Sequence, residues 1–144
     1  MKVFFDTSVL VACFHESLPH HLASWRVVAG EKAGAGYCGA HGLAEIYATL
    51  TGMAKPRRTS AAAAMVYIDG LRDRLSVVGL SPEEYAATLA GAAEHGIMGG
   101  GIYDALLAQC ALKAGADVIY TWNVRDFERC GPKVARRLRT PAMA

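Results

Sequence analysis

No apolar run in this chain approaches the ~18 residues that carry a helix across a bilayer, so no membrane-spanning helix is expected. Lys2 before an apolar run has the look of a leader. Asp6 interrupts that run, however, and no small-residue cleavage site follows it cleanly. The four cysteines, Cys13, Cys38, Cys110 and Cys130, are scattered and form no C-x-x-C pair. Neither a zinc knuckle nor a disulfide framework is indicated. Three of them sit in apolar surroundings, which predicts buried thiols in a reducing compartment and a soluble, cytoplasmic protein. Among His15, His20, His21, His41 and His95 no pair has zinc-ligand spacing, and neighbouring His20 and His21 point to different faces of a helix. There is no G-x-S-x-G nucleophile elbow. Gly99-Gly100-Gly101 does not follow a strand with the dinucleotide fingerprint, and it reads instead as a hinge or mobile loop. Charged residues are 19% of the chain and the net charge is only +2. That total neither demands nor excludes nucleic acid, because a local basic patch matters more.

What is present is apolar content, 53% over 144 residues, enough for a single domain spanning 1–144 with a real core. Strand and helix signals alternate. A strand near 2–6 runs into Asp6-Thr7-Ser8, which caps a helix through Phe14. A second helix runs from about His20 to Gly30, and a short strand lies at Ala35 to Cys38. A helix from His41 to Thr51 carries Leu43, Ile46, Tyr47 and Leu50 at helical spacing. Lys55-Pro56-Arg57-Arg58 breaks the chain. Ser60 caps an alanine-rich helix to Arg74, and Val77-Val78 marks a strand. Ser81-Pro82-Glu83-Glu84 has the cap, the proline and the acids of a helix start. A helix from Ile102 to Ala114, a buried strand at Val118-Ile119-Tyr120, a short helix over 123–130 and an edge strand within Ala135 to Arg139 complete the reading. This alternation predicts an α/β three-layer sandwich around a central parallel sheet.

Four acids stand out. Asp6 ends a buried strand, and the carboxyl edge of a parallel sheet is where such folds bind ligands. Its bland alternative is a helix cap. Glu45 lies among Leu43, Ala44, Ile46 and Ala48, with too few polar neighbours for a solvated face. Asp104 sits between Tyr103 and Ala105-Leu106-Leu107 in the first turn of its helix, where dipole compensation is the alternative. Asp126 is flanked by Arg125, Glu128 and Arg129, an ordinary charged surface. Two carboxylates ~4 Å apart repel by about 4 kcal/mol at an effective dielectric of 20. A cluster of them calls for protons or a hard cation such as Mg2+ or Mn2+, whose bound water becomes a nucleophile toward phosphate esters.

Asp6-Thr7-Ser8-Val9-Leu10, Ala44-Glu45-Ile46-Tyr47, Tyr103-Asp104-Ala105-Leu106-Leu107-Ala108 and Thr121-Trp122-Asn123-Val124-Arg125-Asp126-Phe127, in that order, resemble the PIN-domain family. More closely, they resemble its VapC-type toxin ribonucleases of toxin–antitoxin pairs. The match covers essentially the whole chain. The resemblance implies a PIN-like fold and a metal-dependent endoribonuclease that hydrolyses RNA with Asp6, Glu45 and Asp104 as its acidic core. It also implies a homodimer and a small cognate antitoxin protein whose tail blocks the site. The late block often carries an acid where this sequence has Asn123. Asparagine offers a carbonyl oxygen but no charge, so a second metal would be held more weakly, and either Asn123 or Asp126 completes the metal set. Ser8 and Thr121 are expected to position the ligands from behind.

Two rivals stand beside this reading. A phosphatase with Asp6 as nucleophile usually wants an acid two residues later, where Ser8 stands. A non-catalytic module that binds RNA or a partner fits the loss of the acid at Asn123 but not the three acids retained. Lys55, Arg57 and Arg58 could track an RNA backbone or form a solvated turn. Trp25 and Trp122 are candidate base-stacking platforms, Trp122 more so because it adjoins the acidic edge. The helices from Ser60 and from Pro82 carry more apolar surface than a monomer of this size needs.

Overall fold

A computed structural model describes residues 1–143. Five parallel strands form the sheet: β1 (Val3–Phe5), β2 (Gly36–Gly39), β3 (Ser76–Val78), β4 (Val118–Tyr120) and β5 (Leu138–Arg139), in the order β3-β2-β1-β4-β5. Strand β1 is central, with Val3 opposite Gly36 on one side and opposite Val118 on the other. Its residues are all buried. Phe4 points into one apolar core, while Val3 and Phe5 point into the other. A strand covered on both faces has no solvent side, hence the unbroken Val-Phe-Phe run rather than an alternating one. Full burial of each phenylalanine stabilises the fold by about 1.5–3 kcal/mol.

Helices α1 (Thr7–Phe14), α2 (His21–Gly30), α3 (Ala40–Gly52) and α4 (Ala61–Arg74) supply the core on the Val3 and Phe5 side. Helix α6 (Gly101–Lys113), the short helices α7 (Val124–Glu128) and α8 (Pro132–Ala135), and Ile119 with Leu138 supply the other. Helix α5 (Pro82–Glu94) buries only Ala92. It starts at a complete capping box between Ser81 and Glu84, and Lys113 ties it to α6 through a 2.7 Å contact with Glu84. The three-layer α/β arrangement expected from the alternation is therefore the one observed. No helix among the described residues is long and apolar enough to cross a membrane. Cys13, Cys38 and Cys110 are buried and Cys130 is half-buried, all as free thiols.

The strand order reverses between β1 and β4. From β1 the chain proceeds outward to β2 and β3, and from β4 outward to β5. A crevice opens at the carboxyl ends of two strands whose connections diverge. Two glycines let the neighbouring helices close around it. A Cβ on Gly39, at the end of β2, would stand 2.6 Å from Leu107 of α6, and one on Gly42 of α3 would stand 3.0 Å from the Thr7 hydroxyl.

Some boundaries differ from the sequence expectation. Helix α2 starts at His21, because His20 takes a left-handed φ of 67°. The stretch 123–130 forms only the five-residue α7. Gly131, at φ 104°, and Pro132 then start α8, and the edge strand shrinks to Leu138–Arg139. Gly99 and Gly100 form a turn, with Gly99 at φ 58°, and Gly101 opens α6 one residue earlier than expected.

Candidate active site

Asp6 follows β1 and is 1% exposed. It does cap α1, accepting the Ser8 amide at 3.3 Å. The cap is only part of its role. The same oxygen, Oδ2, accepts the Ser8 hydroxyl at 2.7 Å and the Thr121 hydroxyl at 2.8 Å. Each hydroxyl is oriented from behind by an amide of the segment after β4. The Trp122 N–H donates to Ser8 Oγ at 3.0 Å and the Asn123 N–H donates to Thr121 Oγ1 at 2.9 Å. Those lone pairs are occupied, so both hydroxyl protons are directed to Asp6. Oδ1 accepts none of these bonds. Burial raises the Asp6 pKa, and the hydrogen bonds from Ser8 and Thr121 oppose that rise.

Helix α3 brings Glu45 to the crevice, and α6 brings Asp104. Together with Asp6, Thr7, Ser8, Val11, Thr49 and Asn123 they line one cleft of about 250 Å³. Glu45 Oε1 accepts the Thr7 hydroxyl at 3.3 Å and lies 4.0 Å from His41 Nε2. Its pKa is raised, first by burial and then by the Asp6 charge, with His41 and Thr7 acting the other way. The Asp104 pKa is pushed up to about 7. Burial is the largest cause, followed by the charges of Asp6, Asp126 and Glu45. Three carboxyls on separate elements thus lie close enough to raise one another's cost of ionisation.

The late block divides in two. Asn123 reaches the cleft wall. Asp126 is exposed and is not among the cleft-lining residues, yet its charge is felt at Asp104. Trp122 is half-buried and held on two sides. His20 covers one face, with ring centroids 3.7 Å apart, and Trp122 Nε1 donates to the buried Ser24 hydroxyl at 2.9 Å. Of the basic turn, Arg57 donates to the Ser17 carbonyl and Arg58 to the Met53 carbonyl. Two partners of the site escaped sequence reasoning. Thr7 is adjacent to Asp6, and its signal was that position. His41 precedes Glu45 by one helical turn and stacks on Tyr103, the residue before Asp104.

Among the described residues no three His, Cys, Asp or Glu side chains form a ready-made metal cage. The cleft instead offers hard oxygen donors separated by room for water. That set fits Mg2+ or Mn2+ better than a soft metal. Mg2+ keeps several waters and takes only one or two carboxylates directly.

A family model described as the PIN domain matches residues 3–131. Ribonuclease VapC40 of Mycobacterium tuberculosis is 32% identical over 123 residues, covering 85% of this chain and 87% of the relative. The chain belongs to the PIN-domain family. Its fold is shared with a crystal structure of M. tuberculosis VapC20, described as a Sarcin-Ricin loop cleaving toxin, at a TM-score of 0.70 and 18% identity. That likeness covers 86% of this chain and 92% of the other. VapBC2 from Rickettsia felis, bound to a DNA fragment from its promoter, matches at a TM-score of 0.65 and 17% identity over 97% of this chain and 98% of that one.

Proposed function

We propose that the protein is a metal-dependent endoribonuclease, the toxin component of a toxin–antitoxin pair, and that residues 1–144 act as one nuclease domain. The observation that carries the reading is the convergence of Asp6, Glu45 and Asp104 from three separate elements on one cleft at the reversal of strand order. Kinship with ribonuclease VapC40 supports RNA as the substrate.

Asp6, Glu45 and Asp104 would hold Mg2+ or Mn2+, with the Asn123 carbonyl oxygen assisting and Asp126 adding charge from behind Asp104. The ion supplies charge neutralisation at the phosphate and lowers the pKa of a bound water. Asp6 gives Oδ2 to Ser8 and Thr121, so Oδ1 would be the oxygen left to hold the ion. Thr7 fixes one oxygen of Glu45 and leaves Oε2 for the cleft. Hydrolysis joins a water oxygen to phosphorus, breaks one ester P–O bond and releases a proton to a base. Burial and the neighbouring carboxylates raise Asp104 to about 7 in the metal-free site, and a cation held there would offset that rise and keep Asp104 ionised as a ligand. A cognate antitoxin and a homodimer complete the proposal. Met65 and Val66 of α4 and Tyr85 and Leu89 of α5 are exposed apolar side chains available to such contacts.

The test is incubation of the purified chain with total RNA in Mg2+, in Mn2+ and in EDTA, with sequencing of the cut ends. Defined cuts that need the metal support the proposal. RNA left intact under all three conditions, but bound, would favour the non-catalytic module.

A further inference from the structure

Beside the acid cleft lies a second, shallower groove of about 390 Å³, lined by His41, Ala44, Glu45, Ala48, Thr49 and Tyr103. It shares Glu45 and Thr49 with the cleft, so the two are continuous. Tyr103 of α6 and His41 of α3 stack across it, with centroids 4.9 Å apart and planes 15° from parallel. Tyr103 is nevertheless 47% exposed. His41 backs one face of the phenol ring, leaving the rest open to the groove and solvent. Among the described residues no protein group accepts from the Tyr103 hydroxyl or pairs with His41 Nδ1. Ala44 and Ala48 present only methyl groups, one helical turn apart. An open aromatic face beside methyl groups, with polar edges unclaimed, accepts a flat heteroaromatic ring.

We propose that Tyr103, braced by His41, is the stacking platform for one unpaired nucleobase next to the scissile phosphate. This rests on the ribonuclease reading and names a residue that would position the substrate beside the cut. Each platform residue is tied to a site acid: Tyr103 adjoins Asp104, and His41 lies one turn before Glu45. A base seated on the ring therefore places its own backbone at the carboxylates. A base inside a duplex has both faces covered by its neighbours and cannot take this seat without flipping out. The ring has no built-in preference among bases, because every base has a stacking face. Discrimination, where it occurs, would come from the hydroxyl of Tyr103 and the free His41 nitrogen at the groove edge.

The test is fluorescence anisotropy in EDTA, so that binding is read without cutting, using a fluorescein-labelled random-sequence RNA 12-mer and a labelled duplex of the same length. Tyr103→Leu should weaken single-strand binding by roughly 5- to 100-fold, the range expected for loss of one base–aromatic stack. Tyr103→Phe should stay within about 2-fold of wild type, because the ring remains. Duplex binding should be the same in all three proteins. Circular dichroism melts of the variants check that α6 is retained. Equal single-strand affinity in Tyr103→Leu and wild type, or an equal loss on single strand and duplex, would overturn the platform. If wild type cuts RNA and Tyr103→Leu cuts it with unchanged KM and kcat, the platform alone fails. If wild type neither binds nor cuts RNA, the ribonuclease reading fails with it.

Discussion

Replacing Asp104 by asparagine should make the metal-free protein more stable at neutral pH while destroying its activity. The folded-state pKa of Asp104 is about 7 against an ordinary 3.8. Between those values the folded chain holds a proton that the unfolded chain has released. Stability therefore falls as pH rises through that window, and the whole penalty is present above about pH 7. At 1.36 kcal/mol per pH unit, the interval corresponds to ~4 kcal/mol for a fully buried group. Asp104 is only half-buried, and solvent screening reduces this to about 2 kcal/mol. Asparagine has the same shape and no charge. It also removes the carboxylate that the Glu45 charge repels. For a chain of this size ~2 kcal/mol is about 4–8 °C in Tm. The assay is thermal unfolding in EDTA at pH 5 and pH 8. Wild type should lose several degrees more than Asp104→Asn between the two, and saturating Mg2+ should recover them in wild type only. Parallel pH dependence in the two proteins would refute the electrostatic coupling on which the site is built.

Three further outcomes follow from the same geometry. Gly39→Ala places a methyl 2.6 Å from Leu107 and should cost about 1–3 kcal/mol by denaturant unfolding, with lower activity because α6 carries Asp104. In manganese calorimetry, Asn123→Asp should tighten binding, and Asp126→Ala should lose less than Asp104→Ala, since Asn123 reaches the cleft and Asp126 acts on Asp104 from outside it. Equal losses in Asp126→Ala and Asp104→Ala would reverse that ranking. Sedimentation at micromolar concentration should show a species of twice 15.3 kDa, and a monomer alone would count against the dimer.

Asp6 was legible in the sequence because one short apolar strand and one carboxylate set its place at the sheet edge. Glu45 and Asp104 were legible as charges on helices whose other residues are apolar, though nothing local showed that the two helices meet. That meeting depends on Gly39 and Gly42, whose missing side chains let Leu107 and Thr7 approach. Close approach between elements distant in sequence leaves no periodic trace. The His41–Tyr103 stack was hidden for the same reason, being a contact between residues 41 and 103 with no local signal. Trp122 was legible as a neighbour of the acids, but its contacts were not: tertiary packing gives one indole face to His20 and the indole N–H to Ser24. The end of the chain was misjudged by a few residues because Gly131 and Pro132 act as helix punctuation between two very short helices.

The central claim is that Asp6, Glu45 and Asp104 together make a metal-dependent ribonuclease centre. The most direct measurement is the rate at which purified wild type, Asp6→Asn, Glu45→Gln and Asp104→Asn cleave total RNA in Mg2+ or Mn2+, with each fold checked by circular dichroism. Wild type should cut at defined positions and lose all cutting in EDTA, and each folded variant should fall by at least about 100-fold. Undiminished cleavage by folded Asp104→Asn, or by wild type in EDTA, would contradict the account.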